Sequence, residues 1–147
     1  MKNFLIAFII LIGLLVSHAC AKYENGPSVS LLSSKKRLIG THSLEKIIAG
    51  EKEIKPEDLG IKEDIYTFYK NGTGKISTKM LAEPNATIII FEWEFDDKKE
   101  KLRIRKKNED ETWGSFSVYT ILRLTKNELW LVMPYTKENA EYHYKKN

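Results

Sequence analysis

The clearest pattern in the chain is the alternation running from Ala86 to Ile104. Thr87, Ile89, Phe91, Trp93 and Phe95 fall on one side of an extended segment, with Glu92 and Glu94 on the other. That period of two, with its β-branched and aromatic content, predicts a half-buried strand. After the polar turn Asp96–Glu100, Leu102 and Ile104 alternate with Arg103 and Arg105, which predicts the antiparallel partner of a hairpin. A hairpin with one greasy face is not stable alone, so further strands must cover it.

The rest of the chain supplies them. Strands are predicted over Leu38–Ile48, Asp64–Lys70, Lys75–Met80, Ser115–Leu124, Glu128–Met133 and Ala140–Lys145. Ser115–Leu124 places Phe116, Val118, Thr120, Leu122 and Leu124 on one face, and the last strand sets Tyr142 and Tyr144 on one side of His143. The first strand loses its alternation at Ile47–Ile48, which predicts a bulge or the strand's end. Asn71-Gly72-Thr73-Gly74 is a hairpin turn, because Asn and Gly tolerate positive φ. Gly50–Glu63 is a polar excursion with a loop or single helical turn near Pro56–Gly60. Eight strands with short connections give an all-β fold, an eight-stranded antiparallel up-and-down barrel that removes exposed edges. A β-sandwich is the alternative.

The N-terminus changes the picture. Lys2 followed by the apolar run Phe4–Val16 predicts a signal segment over residues 1–19, too short to span a bilayer at about 20 residues. Ser17-His18-Ala19-Cys20 resembles the lipobox of bacterial lipoproteins, which implies lipid attachment at Cys20; plain cleavage after Ala19 or Ala21 is the alternative. Residues 20–36 read as a flexible tether with a short helical turn at Val29–Leu32, and residues 37–147 as the barrel domain. Cys20 is the chain's one cysteine, so no internal disulfide is available.

Of 24 basic and 20 acidic residues, one basic residue and no acid precede Cys20, leaving +3 on a chain that begins there. Lysines and acids are interspersed, which argues against a nucleic-acid partner. His42 and His143, without cysteine or paired-histidine spacing, imply no metal. Asp96-Asp97 and Glu109-Asp110-Glu111 lack the twelve-position calcium loop, and nothing selects a glycosidase pair. No nucleophile–base or phosphate-loop signature occurs, so the expectation is a non-enzyme without catalytic residues or cofactor. Trp113 and Trp130 are read as core or rim residues, with stacking on a sugar or protein partner as the functional alternative.

From Gly40-Thr41-His42 onward the chain resembles the lipocalin-like domains of small Bacteroidetes-type lipoproteins. Tyr66-Thr67-Phe68, Asn71-Gly72-Thr73-Gly74, Trp93-Glu94-Phe95 and Ile121-Leu122-Arg123-Leu124-Thr125-Lys126-Asn127-Glu128-Leu129 follow the order of that family's motifs, over Arg37 to about Lys146. The resemblance implies a lipocalin-like (calycin) barrel. His42 stands where lipocalins carry tryptophan, and no residue maps onto the arginine that packs against it.

The interior would collect Phe68, Ile76, Ile89, Phe91, Trp93, Leu102, Ile104, Val118, Leu122, Leu129 and Leu131, with Leu44 alongside. Tyr66, Thr78 and Thr120 are the groups that would orient a ligand. The functional expectation is a membrane-anchored lipoprotein binding a small apolar molecule; the alternative is a filled, non-catalytic module recognising protein or glycan. The expected place is the bacterial cell envelope, lipid-anchored at the outer membrane, or secreted or periplasmic if cleavage is ordinary.

Overall fold

The computed structural model describes residues 23–26, 31–134 and 139–147; Cys20 and the stretch 1–19 expected to be a signal segment lie outside them. A short helix, α1 (Ser34–Leu38), leads into β1 (Gly40–Ala49), β2 (Lys52–Ile54), a 3-10 turn (Pro56–Leu59), β3 (Ile61–Phe68) and β4 (Thr73–Met80). Then follow β5 (Thr87–Phe95), β6 (Lys101–Lys106), β7 (Ser117–Leu124), β8 (Glu128–Val132) and β9 (Glu141–Lys146). Every neighbour pairs antiparallel, and β1 closes onto β9, so β1 and β3–β9 form a closed eight-stranded up-and-down barrel. β2 is an extra strand on the far end of β1.

The central hairpin forms as the alternation predicts. Trp93 pairs with Ile104 and Phe95 with Leu102 on the inner side, while Glu92–Arg105 and Glu94–Arg103 are both register partners and ion pairs outside. At the β3–β4 turn, Gly72 has φ +87° and Asn71 Oδ1 accepts from the Thr73 amide and hydroxyl. Gly74 faces inward beneath Phe91, where an added Cβ would lie 2.3 Å from the ring.

Three expectations need correction. The stretch read as a tether is partly built into the fold: Tyr23 is 2% exposed, and its hydroxyl donates to Ser34 Oγ of α1. The helix lies at Ser34–Leu38, capped by Ser33, rather than at Val29–Leu32, whose first two residues fall outside the description. Second, the polar excursion contains β2, and β3 begins at Ile61 rather than Asp64.

Third, β7 is out of phase with its pattern. The register shifts between Ile121 and Arg123, so Leu122 is an extra residue, and Tyr119, Ile121 and Leu124 point into the core. Counting back from Leu124 in strict alternation crosses that bulge and reverses the faces. Val118 and Thr120 are therefore exposed on the outer surface, and Leu122 is buried beside Tyr23 and Glu24, outside the central cluster. In β1 the shift falls between Leu44 and Lys46, slightly before the predicted break.

Candidate functional site

α1, the β3–β4, β5–β6 and β7–β8 turns, and the end of β9 share one end of the barrel, the base; the other connections form the mouth. The base is sealed. His42, fully buried, donates from Nε2 to the Leu38 carbonyl (2.8 Å) and meets the edge of Phe68. Burial, above all, lowers its pKa to about 4, so the ring is neutral and only a protonated Nε2 suits the carbonyl. Arg37 Nη1 donates to the Leu124 carbonyl, with its guanidinium over Tyr23. Lys146 Nζ donates to the carbonyls of Arg37 and Ile39, so a lysine of the last strand closes the base where no arginine could be mapped.

Above this plug the lower half of the interior is solid. Phe68, Phe91, Leu102, Ile104, Leu129 and Leu131 are at most 1% exposed. Phe68 stands edge-on to Phe91 and Trp93 and stacks with Tyr66, and Trp93 Nε1 donates to the Thr73 carbonyl. Side chains so enclosed leave no room beside them for a ligand, and Tyr144, Tyr66 and Tyr119, at 1%, 4% and 5% exposed, belong to the same packed core. Of the expected lining, these six with Ile76 and Trp93 are core packing, and Ile89 is half-buried nearer the mouth.

The upper half differs in chemistry. Asp64 lies on the inner face of β3 opposite Thr78, and accepts hydrogen bonds from Thr78 Oγ1 (2.6 Å) and the Tyr144 hydroxyl (2.9 Å). Tyr66 lies next along β3, with its ring 5.3 Å from that of Tyr144. Burial first, then the neighbouring Tyr119 hydroxyl and Asp64, hold the Tyr66 phenol well above the usual range. Burial does the same for Tyr144 and, more weakly, for Tyr119. These phenols are neutral donors near one carboxylate, and they belong to the hydrophobic core against which half-buried Leu44, Ile89, Met133 and Tyr142 also pack. Such a set can orient a molecule by hydrogen bonds while apolar walls exclude water.

Sequence reasoning named Tyr66 and Thr78 but missed Asp64, Tyr119, Tyr142 and Tyr144. The pairing of β1 with β3 stops at Ser43/Ile65, and β1 takes β2 as its neighbour from Ile47 onward. This leaves a seam in the wall close to Asp64.

The outer tryptophans are occupied by the chain itself. Arg105 lies over both Trp113 and Phe116, and Arg103 over Phe116 at 4.6 Å. Trp130 is stacked on His143 at 3.9 Å and carries Arg123, while His143 Nε2 meets Glu141. Both tryptophans are half-buried on the outer surface of the barrel. Near the mouth, an open groove of about 540 Å³ runs past Ile88, Ile90, Lys106, Asn108 and Glu111. Among the described residues, no three His, Cys, Asp or Glu side chains gather as metal ligands, and no helix is long and apolar enough to cross a membrane. Compared with known families and curated proteins, the chain matches no family model and no curated relative.

Proposed function

We propose that this chain is a lipocalin-like binding module, acylated at Cys20 and held at the bacterial cell envelope, that takes a small, mostly apolar ligand in the mouth half of its barrel. The half-buried Asp64–Thr78 pair, which keeps accessible surface while Tyr144, Tyr66 and Tyr119 pack behind it, carries the reading. A carboxylate can accept about four hydrogen bonds; Asp64 takes two, from Thr78 and Tyr144, and so keeps acceptor capacity for a ligand donor. The ligand presents one hydrogen-bonding group to this pair and its apolar remainder to Ile89, Met133 and Tyr142. No chemistry is done on it.

Native mass spectrometry of the protein as isolated, together with titration by the apolar dye ANS, tests this. A retained ligand or saturable dye binding is expected, weakened several-fold in Asp64→Asn and unchanged in Thr120→Ala, which alters the outer surface. Equal effects of both substitutions, or neither ligand nor dye bound, would overturn it. The solid lower half and the outward Arg105–Trp113 and Arg123–Trp130 stacks favour a second reading, a non-catalytic protein- or glycan-recognition module. That reading predicts partner binding that survives Asp64→Asn and is lost in Trp130→Ala.

A further inference from the structure

The two ends of the barrel carry opposite charge. At the base, α1 and the neighbouring turns expose Lys35, Lys36, Lys70 and Lys126. Lys98 and Lys99 share their turn with Asp96, Asp97 and Glu100, and Glu24 is exposed beside Tyr23, so the positive excess of the base rests on α1 and the β3–β4 and β7–β8 turns. The mouth is acidic. Its first connection holds Glu51, Glu53, Glu57 and Asp58 against Lys52 and Lys55, and Glu83 follows in the β4–β5 connection. The β6–β7 loop sets Glu109, Asp110 and Glu111 against Lys107.

The path of the N-terminus singles out one of these ends. Tyr23 is packed into the base, with Arg37 above its ring, and the Asn25 amide donates to the Leu122 carbonyl of β7. Only Ala21 and Lys22 separate Tyr23 from Cys20, so the Cα atoms of residues 20 and 23 are at most about 11 Å apart. A lipid on Cys20 therefore brings the base to within roughly one or two Debye lengths, each about 8 Å, of the headgroups. Three apolar side chains are exposed at this end, Leu31, Leu32 and Tyr69; the mouth exposes Leu59, Leu81, Ile88 and Ile90, so it is the lysines that distinguish the base. Lysines with apolar neighbours suit the headgroup layer of a negatively charged leaflet.

We infer that the base is a membrane-contact face, on which the lysines of α1 and the β3–β4 and β7–β8 turns, with Leu31 and Tyr69, lie against anionic lipid headgroups and direct the acidic mouth away from the bilayer. This rests on acylation of Cys20. It goes beyond the anchor by fixing which end of the barrel meets the lipid. Ligand entry is then from the aqueous side.

The full-length protein, processed by its host and reconstituted into vesicles mixing phosphatidylcholine with phosphatidylglycerol, provides the test. Because acylation occupies Cys20, one introduced cysteine takes a fluorophore at a chosen place: Lys70→Cys or Lys126→Cys at the base, Glu57→Cys or Glu109→Cys at the mouth. Headgroup-spin-labelled lipid is expected to quench both base labels several-fold more than both mouth labels. The contrast should shrink in high salt and in vesicles of phosphatidylcholine alone. Equal quenching, or stronger quenching at the mouth, in acylated protein overturns the orientation and leaves the anchor standing. A chain with no introduced cysteine that itself takes the label, and washes off the vesicles, overturns the anchor and the orientation together.

Discussion

His42 is a titratable ring made into a fixed part of the base. Its folded pKa of about 4 lies below the ordinary 6.5, so between these values the unfolded chain binds a proton that the folded chain refuses. The stability it confers is complete above pH 6.5 and is lost progressively as pH falls toward 4, by about 3 kcal/mol for this shift. Urea midpoints measured from pH 7 to 4 should fall in the wild type and fall less steeply in His42→Phe. A slope as steep in the variant would assign the effect to other groups. Gly74 is a second position where the fold leaves no freedom, since a methyl group there enters the space of the Phe91 ring and lies 2.5 Å from the Thr67 carbonyl oxygen. Gly74→Ala should cost about 1–3 kcal/mol in urea unfolding as the ring is forced aside, whereas Gly50→Ala, with nothing within 4 Å, meets only the strain of its positive φ.

At the scale of strands and helices, what the sequence disclosed depended on whether the alternation ran unbroken. β5 and β6 contain no bulge, and their faces were legible residue by residue, with Glu92, Glu94, Arg103 and Arg105 outside; the pairing of Glu92 with Arg105 came from the register. β7 contains one extra residue, which put Val118 and Thr120 inside on paper and hid Tyr119. β2 has three residues, Lys-Glu-Ile, and α1 five, Ser-Lys-Lys-Arg-Leu, both too short to show a period. The candidate site suffered most, because its members come from β3, β4, β7 and β9 and share no local motif. The corrected phase of β7 is directly checkable. Val118→Lys should change stability by no more than about 0.5 kcal/mol, as outer-surface changes usually do. Tyr119→Lys, one residue along, places an unpaired charge inside and should prevent folding or lower the urea midpoint sharply. Equal tolerance of both would refute the bulge.

For the molecule as a whole, closure is the property that matters. β9 pairs with β8 on one side and β1 on the other, and carries both Tyr144 of the interior and Lys146 of the base seal. Truncation before Glu141 therefore opens two long edges, unplugs the base and removes a partner of Asp64. The expected result is a chain that aggregates at concentrations where the intact protein stays dispersed by light scattering. A monodisperse truncated chain would show that the remaining strands re-close without β9.

The gap between β1 and β3 has its own consequence. From Gly40/Phe68 to Ser43/Ile65 these strands are stitched by ladder hydrogen bonds; above that point the stitching ceases and β1 leans on the three residues of β2. A tube with one unsewn length opens there before anywhere else. In hydrogen–deuterium exchange, amides aimed into that slit from Leu44–Lys46 should therefore trade protons ahead of those of β5 and β6. A guest too broad for the rim would have a side door.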